Sequence, residues 1–493
     1  MKYYVGIDIG TSSVKLTLID SMGRIIRTAG REYMVSEPAP GWKEIDPELW
    51  MQAIDDGIEE LLSDIDPVSV KKIGVTGQMH TVILLDQKGK VIRPALMWND
   101  TRTADLIPKI RAEIEKNPKI AHINKILSTG SPAMNLLWVK ENEPENFKKL
   151  KKFLIGPDYI VYRLTGTMQT DYCEASTSSL CNLNDADWSP EIRELLEFPE
   201  EIYPEIKGSG EIAGTLKKEY QQKYKLNKEV QILVGTGDNP AAAIATGCFE
   251  KKYPVMSFGT SGVLMFPRER VAFDAKGKNI LFSIDGEEKM VLVQGVVQSC
   301  GGSLAWWMKK ILNSSDYDEE IGKADTAHLG ENSILFYPHL VGDKTIYADP
   351  KLRGSFFGLG TDTSRLEMTI SVLEGICFGV KQLTEEMKIP KEQIANLRVT
   401  GGGSKNEIWM QIMADILNVP VIQMESNAGA GYGMAMLAAQ SDGIEIQEIL
   451  KQIIVEKKKF YPREYNASLY EKKYGMYCKI YQAVKMISDQ RQP

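Results

Sequence analysis

The chain has 493 residues, 43% apolar and 25% charged, with a net charge of −7. That length is too great for a single core and suits two large domains of a globular protein. The acidic balance, with no long basic run, excludes nucleic acid as a partner class, and no apolar run nears the ~20 residues that span a bilayer.

Six scattered cysteines without a C-x-x-C pair, and only four histidines, offer no zinc-ligand spacing. With no signal segment ahead of Tyr3, they lead us to expect a reduced, cytoplasmic protein.

The chain opens on a β-rich run, Tyr3 to Ile9, a tight Gly10-Thr11-Ser12 turn and a returning strand through Val14, Leu16 and Leu18. Small residues let backbone N–H groups approach an anion, so the turn suits a phosphate. Asp8, just before it, is placed to hold Mg²⁺ directly or through water. An ordinary β-turn with a solvated Asp fits the same residues. Asp46-Pro47 predicts a helix start, followed by an apolar stripe from Leu49 to Leu62. Strands are expected at 72–77 and 82–86. This strand–helix–strand alternation indicates an α/β domain.

Ligands of α/β domains sit at the carboxyl ends of strands. Gln78-Met79-His80 and Trp98-Asn99-Asp100 are such ends, and polar groups flanked by Met79 and Trp98 suit a small polyol. A structural role for His80, and core packing for Trp98, are the alternatives. Residues 101–230 read as a largely helical insertion, with a helix ending at Thr165-Gly166 and with Asp171 to Ser176 walling a pocket.

A buried strand, Ile232 to Val234, then meets Gly235-Thr236-Gly237, and a helix begins with Asp238 or Asn239 as its cap. A carboxylate there can take a proton from an attacking hydroxyl, and it can equally be a plain cap. After a linker near 247–252, Met256 to Leu264 repeats the opening hairpin, with Gly259-Thr260-Ser261 at its turn, nearly half the chain from Gly10. Two copies indicate a duplicated fold whose halves clamp a polyphosphate. Cys300-Gly301-Gly302-Ser303 opens an amphipathic helix, and 364–388 read as one long helix with Glu374-Gly375 inside it, a glycine that close packing would require. The strand Leu397 to Thr400 ends in Gly401-Gly402-Gly403, where a nucleoside can lie on bare backbone. Neither G-x-G-x-x-G nor a P-loop is present. Asn427 to Gly433 opens a small-residue helix expected to flank the same site.

Taken together, these motifs resemble the FGGY carbohydrate kinases of the ribonuclease-H-like, actin–hexokinase–Hsp70 superfamily, over nearly the whole chain. Gln78-Met79-His80 is the marker of the subgroup that phosphorylates D-xylulose. The resemblance implies two duplicated domains, 1–247 for the sugar and the base and 248–493 for the nucleotide, with ATP and Mg²⁺ as cofactors.

It implies Asp238 as catalytic base and Asp8 as the acid beside the metal. Thr11, Ser12, Lys15, Gly259, Thr260 and Gly302 fall near the phosphates, and Gly402, Gly403 and Asn406 near the adenosine. Met79 and His80 bind the sugar, with Trp98, Asp100 and Asn239 in support. The partners implied are a small sugar and ATP, and a homodimer is open. Where many relatives carry Gly-Glu-Arg-Thr-Pro, this chain has Gly342-Asp343-Lys344-Thr345-Ile346. That keeps charge and loses reach, leaving L-ribulose, L-xylulose, gluconate, glycerol or a furanone as alternative acceptors. A non-catalytic ATP-driven clamp is the reading from another class.

Overall fold

A computed structural model describes residues 1–249, 253–425 and 429–488. Two parts of the sequence reading, the linker at 250–252 and the helix-opening pair Asn427-Ala428, lie outside the described residues.

The strands of the first half are β1 (Tyr3–Ile9), β2 (Ser13–Asp20), β3 (Ile25–Glu32), β4 (Val70–Gly77), β5 (Ile212–Thr215) and β6 (Gln231–Leu233). They form one mixed sheet in the order β5-β6-β4-β1-β2-β3. β1 to β3 pair antiparallel, and β1, β4 and β6 run parallel. The second half supplies β7 (Val255–Phe258), β8 (Gly262–Arg268), β9 (Lys278–Phe282), β10 (Met290–Val297), β11 (Leu397–Thr400), β12 (Val421–Glu425) and β13 (Val455–Phe460). Its order is β9-β10-β8-β7-β11-β12-β13. The run β10-β8-β7-β11-β12 repeats β3-β2-β1-β4-β6 strand for strand, with the same directions. The duplication expected from the two hairpins is thus a duplication of topology.

The helices that matter here are α1 (Pro47–Leu61), α2 (Gly156–Thr165), α3 (Tyr172–Thr177), α4 (Asp238–Thr246), α5 (Gly301–Trp306), α6 (Arg365–Glu386), α7 (Glu407–Leu417), α8 (Ala430–Gln440) and α9 (Glu464–Ser488). Asp46 caps α1 by accepting from the Glu48 N–H, with Pro47 first in the helix. α2 stops at Gly166, whose φ of 93° is the left-handed conformation such a stop needs. α6 runs through Gly375 because a Cβ there would lie 2.2 Å from Phe336 O. Between β4 and β5 the chain is not purely helical. A small sheet joins Glu44–Ile45, Ala95–Leu96, Val82–Leu85 and Lys152–Ile155, and helices close over it.

The halves are joined by an exchange of helices. α4, from the first half, lays Ala243 among Val255, Met265, Ile280 and Leu292 of the second sheet. α8, from the second half, packs on the first sheet and on α4. These contacts are backbone to backbone. A Cβ on Gly6 would lie 1.7 Å from Gly431 O, and one on Gly433 would lie 1.9 Å from Ala241 O. No helix among the described residues is long and apolar enough to cross a membrane. Gly433→Ala therefore forces α8 off α4, with a loss of about 1–3 kcal/mol of stability. A lower thermal unfolding midpoint is the expected result, and an unchanged one refutes the contact.

Candidate active site

The site is built where three parallel strand ends stop at one level. Ile9 of β1 lies opposite Gly77 of β4, and the short Thr236–Gly237 strand runs beside β4 with Gly237 also opposite Gly77. Neighbouring strands lie ~4.8 Å apart, so the segments leaving these ends crowd into one place. The Gln78 N–H donates to Ile9 O at 2.7 Å. Glycine is required at two of the ends. A Cβ on Gly77 would lie 2.6 Å from Ile9 O, and one on Gly237 would lie 2.5 Å from the Met79 side chain.

Asp238 is the first residue of α4, and the cap position belongs to Gly237. This corrects the expectation that Asp238 or Asn239 caps the helix. Gly237 is still paired with β4 as an extended residue and takes the cap position, so the helix begins at Asp238 itself and its cap carries no side chain. The Asp238 carboxyl is consequently not spent on a capping bond. Burial, and then the charge of Asp8, push it up to about 7, while the Asn239 N–H and the Lys278 ammonium pull the other way. Burial also raises the Asp8 carboxyl, opposed by Lys15, its cross-strand partner.

Met79, His80 and Asn239 gather beside Asp238. The Asn239 amide donates to Met79 Sδ at 3.3 Å and accepts from Gln294 Nε2 at 3.0 Å. His80 takes a positive φ of 71°, uncommon for a side-chain-bearing residue. Its N–H points at Glu174 Oε2, 3.4 Å away, and its Nε2 lies 2.9 Å from Lys278 Nζ. Burial and the charges of Lys278 and Lys344 hold the imidazole neutral. Trp98 is 44% exposed. Its backbone N–H donates to Thr81 Oγ1 at 3.3 Å and its indole to Thr11 Oγ1 at 3.1 Å. The loop that carries Trp98 and the first Gly-Thr-Ser turn are thus tied together. Ser12 and Lys15 are exposed beside that turn.

Asp100 faces away from this group. Both its oxygens are engaged, by Arg102, by the Arg102 N–H and by the Lys43 N–H at 2.6 Å. The Arg102 guanidinium lies 4.1 Å from the Trp42 ring centroid and 4.9 Å from that of Trp138. Asp100 therefore positions the loop that carries Trp98, and its oxygens are not offered to a sugar.

In the second half, Ser257 of β7 lies opposite Thr400 of β11, so Gly259 and Gly401 leave the sheet side by side. Gly401, at φ 90°, presses on Phe258, and Gly403 lies between Phe258 and Trp409. Nothing lies within 4 Å of a Cβ placed on Gly402, which leaves its face open. Asn406 caps α7 by accepting from the Trp409 N–H at 2.9 Å, so only its amide nitrogen is left to offer. The Gly301 and Gly302 N–H groups are spent on Gly259 O and Thr260 O, at 3.0 and 2.8 Å. Gly302 therefore offers bare surface and no donor to a phosphate.

Sequence reasoning missed Lys278, Gln294 and the role of Glu174. Gln294 had a signal, as a polar residue inside the apolar strand from Val291 to Val297. Lys278 had none, because its place depends on which strand borders the second sheet.

The profile of the FGGY family of carbohydrate kinases, N-terminal domain, matches residues 3–245, and that of the C-terminal domain matches residues 255–441. The chain belongs to this family. It is accordingly a carbohydrate kinase, which takes a sugar and ATP as substrates. The xylulose kinase of Bacillus subtilis (strain 168) is 32% identical over 489 residues, covering 98% of both chains. Two Lactobacillus acidophilus structures, a ligand-bound xylulose kinase and a gluconate kinase, each superpose with a TM-score of 0.86 at 25% identity. Both cover 98% of this chain, and they are covered to 99% and 98% respectively. The same backbone thus accompanies two different acceptors.

Asp100→Ala exposes the difference between a positioning and a binding residue. It strips one carboxylate from the fully buried Arg102, which keeps Glu44 at 2.8 Å. A loss of about 3 kcal/mol is expected in denaturant unfolding. Unchanged stability with a raised acceptor KM would instead make Asp100 a ligand.

Proposed function

We propose that the protein phosphorylates D-xylulose to D-xylulose 5-phosphate with ATP, and that Asp238 is the general base. The observation that carries the mechanism is the buried carboxyl of Asp238 at the common strand end, outside the helix cap and raised to about 7, beside Met79, His80 and Asn239. Asp238 takes the proton of the acceptor hydroxyl as that oxygen attacks the γ-phosphorus. The bond from phosphorus to the β,γ-bridging oxygen breaks, and ADP leaves. Thr11, Ser12, Lys15, Gly259 and Thr260 hold the phosphates, while Gly402, Gly403 and Asn406 border the adenosine. The open face of Gly402 supports that assignment. The domain roles follow, with acceptor and base on residues 1–247 and nucleotide on 248–493. Six free thiols agree with a cytoplasmic location.

Asp8 fits Mg²⁺. It is a partly buried carboxyl near a second one, and no group of three or more potential ligands occurs among the described residues. That donor set suits an ion held by one or two carboxylates and the nucleotide's own phosphates, where it would neutralise charge on the transferred group.

A gluconate acceptor is the second reading, favoured by the equal superposition on the gluconate kinase and by Lys344 at the departure from the common Glu-Arg pair. A panel of ketoses, polyols and aldonates assayed for ADP release decides between them, and a highest kcat/KM on anything but D-xylulose overturns the first.

Asp238→Asn is expected to lower kcat by ~10²–10⁴-fold, and near-normal turnover sinks the base assignment. The base works ionised, so kcat/KM of the parent enzyme rises with pH through about 7 and then levels. The Asp8 charge disfavours ionisation of Asp238, so Asp8→Asn moves that limb to lower pH in whatever activity remains. A limb that stays in place or moves up contradicts the coupling.

A further inference from the structure

Lys278 reaches the acceptor pocket from the other half of the molecule. It is the first residue of β9, the border strand of the second sheet, yet its amine lies 2.9 Å from Nε2 of His80 in the first half. The loop before it is fastened to the first half. Lys125 donates to Phe273 O, and the Phe273 ring rests on His122 with centroids 4.7 Å apart. The loop leading to Lys278 is therefore held to the first half by two contacts.

Among the described residues Lys278 has no carboxylate within ion-pair distance, and neither has Lys344, whose charge also bears on His80. Glu174, a buried acid that shares this corner, is driven toward its neutral form by burial and by Asp158 and Asp171. Lys278 interacts electrostatically with Asp238, which places it at the reacting end of the pocket. An ammonium has three donors and no acceptor, and one donor is taken by His80. The remaining two call for acceptor oxygens, and an oxygen with no proton of its own to place suits them best.

We propose that Lys278 is an acceptor-specificity residue, whose amine, delivered by the second half, binds an acceptor-only oxygen of the substrate and so selects carbonyl- or carboxylate-bearing acceptors over plain polyols. This deepens the ketose reading and rests on it for the carbonyl case. A hydroxyl can turn its lone pair to an ammonium, but its own proton then needs a second partner, so the polyol is the poorer ligand.

The test is the ratio of kcat/KM for D-xylulose to that for xylitol, and of D-gluconate to xylitol, in the parent enzyme and in Lys278→Met. Losing one charge-assisted hydrogen bond, the variant is expected to lower the ratio for the preferred acceptor by roughly 10–100-fold, mainly through KM. A merely structural lysine would lower all three acceptors together and leave the ratios alone. Should Lys278→Met melt early, the ratio is read in Lys278→Gln, which keeps a donor and is expected to fall between the two.

A parent enzyme that prefers D-xylulose, with a collapsed ratio in the variant, establishes the carbonyl as the group bound. Preference for D-gluconate with the same collapse establishes the carboxylate, upholding Lys278 and overturning the D-xylulose reading. Preference for D-xylulose with an unmoved ratio overturns Lys278 and leaves the ketose reading standing. A parent enzyme that works best on xylitol overturns both.

Discussion

The register of three parallel strands governs the chemistry of this protein. Ile9, Gly77 and Gly237 stop at the same level because each pairs directly with its neighbour. Thr11, Ser12, Met79, His80, Asp238 and Asn239 each follow one of these ends by one to three residues, and Asp8 precedes one of them by one. A slip of one residue in β4 would turn Met79 and His80 to the opposite face, since side chains alternate along a strand. It would also bring a side chain against Ile9 O, where only glycine fits. Packing thus enforces the register that the chemistry needs.

The glycines of α8 do for the two halves what Gly77 does for the strands. They let α8 of one half sit on the sheet of the other with no side chains between. α4 lies against α8 and begins with Asp238, so the placement of that carboxyl and the joint between the halves are set by one packing arrangement. Lys278 shows the same dependence from the other side. It touches His80 only because β9 borders the second sheet and the Phe273 loop is fastened to the first half.

Local chemistry explains what could be read from the sequence. Hairpins, glycine-terminated strands, the Asp46-Pro47 start of α1 and the Gly166 stop of α2 are all decided by residues within a few positions of each other. The repeat of Gly10-Thr11-Ser12 at Gly259-Thr260-Ser261 disclosed the duplication. What escaped was non-local. The helix cap fell on Gly237 because of a pairing with Gly77, far away in the chain. Asp100 looked like a ligand from its neighbours Trp98 and Asn99, but Arg102 turns its carboxyl inward. Lys278 lies in no motif. Its place beside His80 comes from sheet order, which no stretch of residues spells out.

The duplicated topology also bears on how a substrate lies. Asp8 stands opposite Thr76 as Ser257 stands opposite Thr400, and α4 begins with Asp238 where α8 begins with Ala430. The duplication is therefore broken at two matching positions, and both carboxyls belong to the first half. A ligand held between the halves meets Asp8 and Asp238 on one side, and Ser257 and Ala430 at the matching places on the other. The cleft has a polarity, so a molecule bound across it has one orientation and not two.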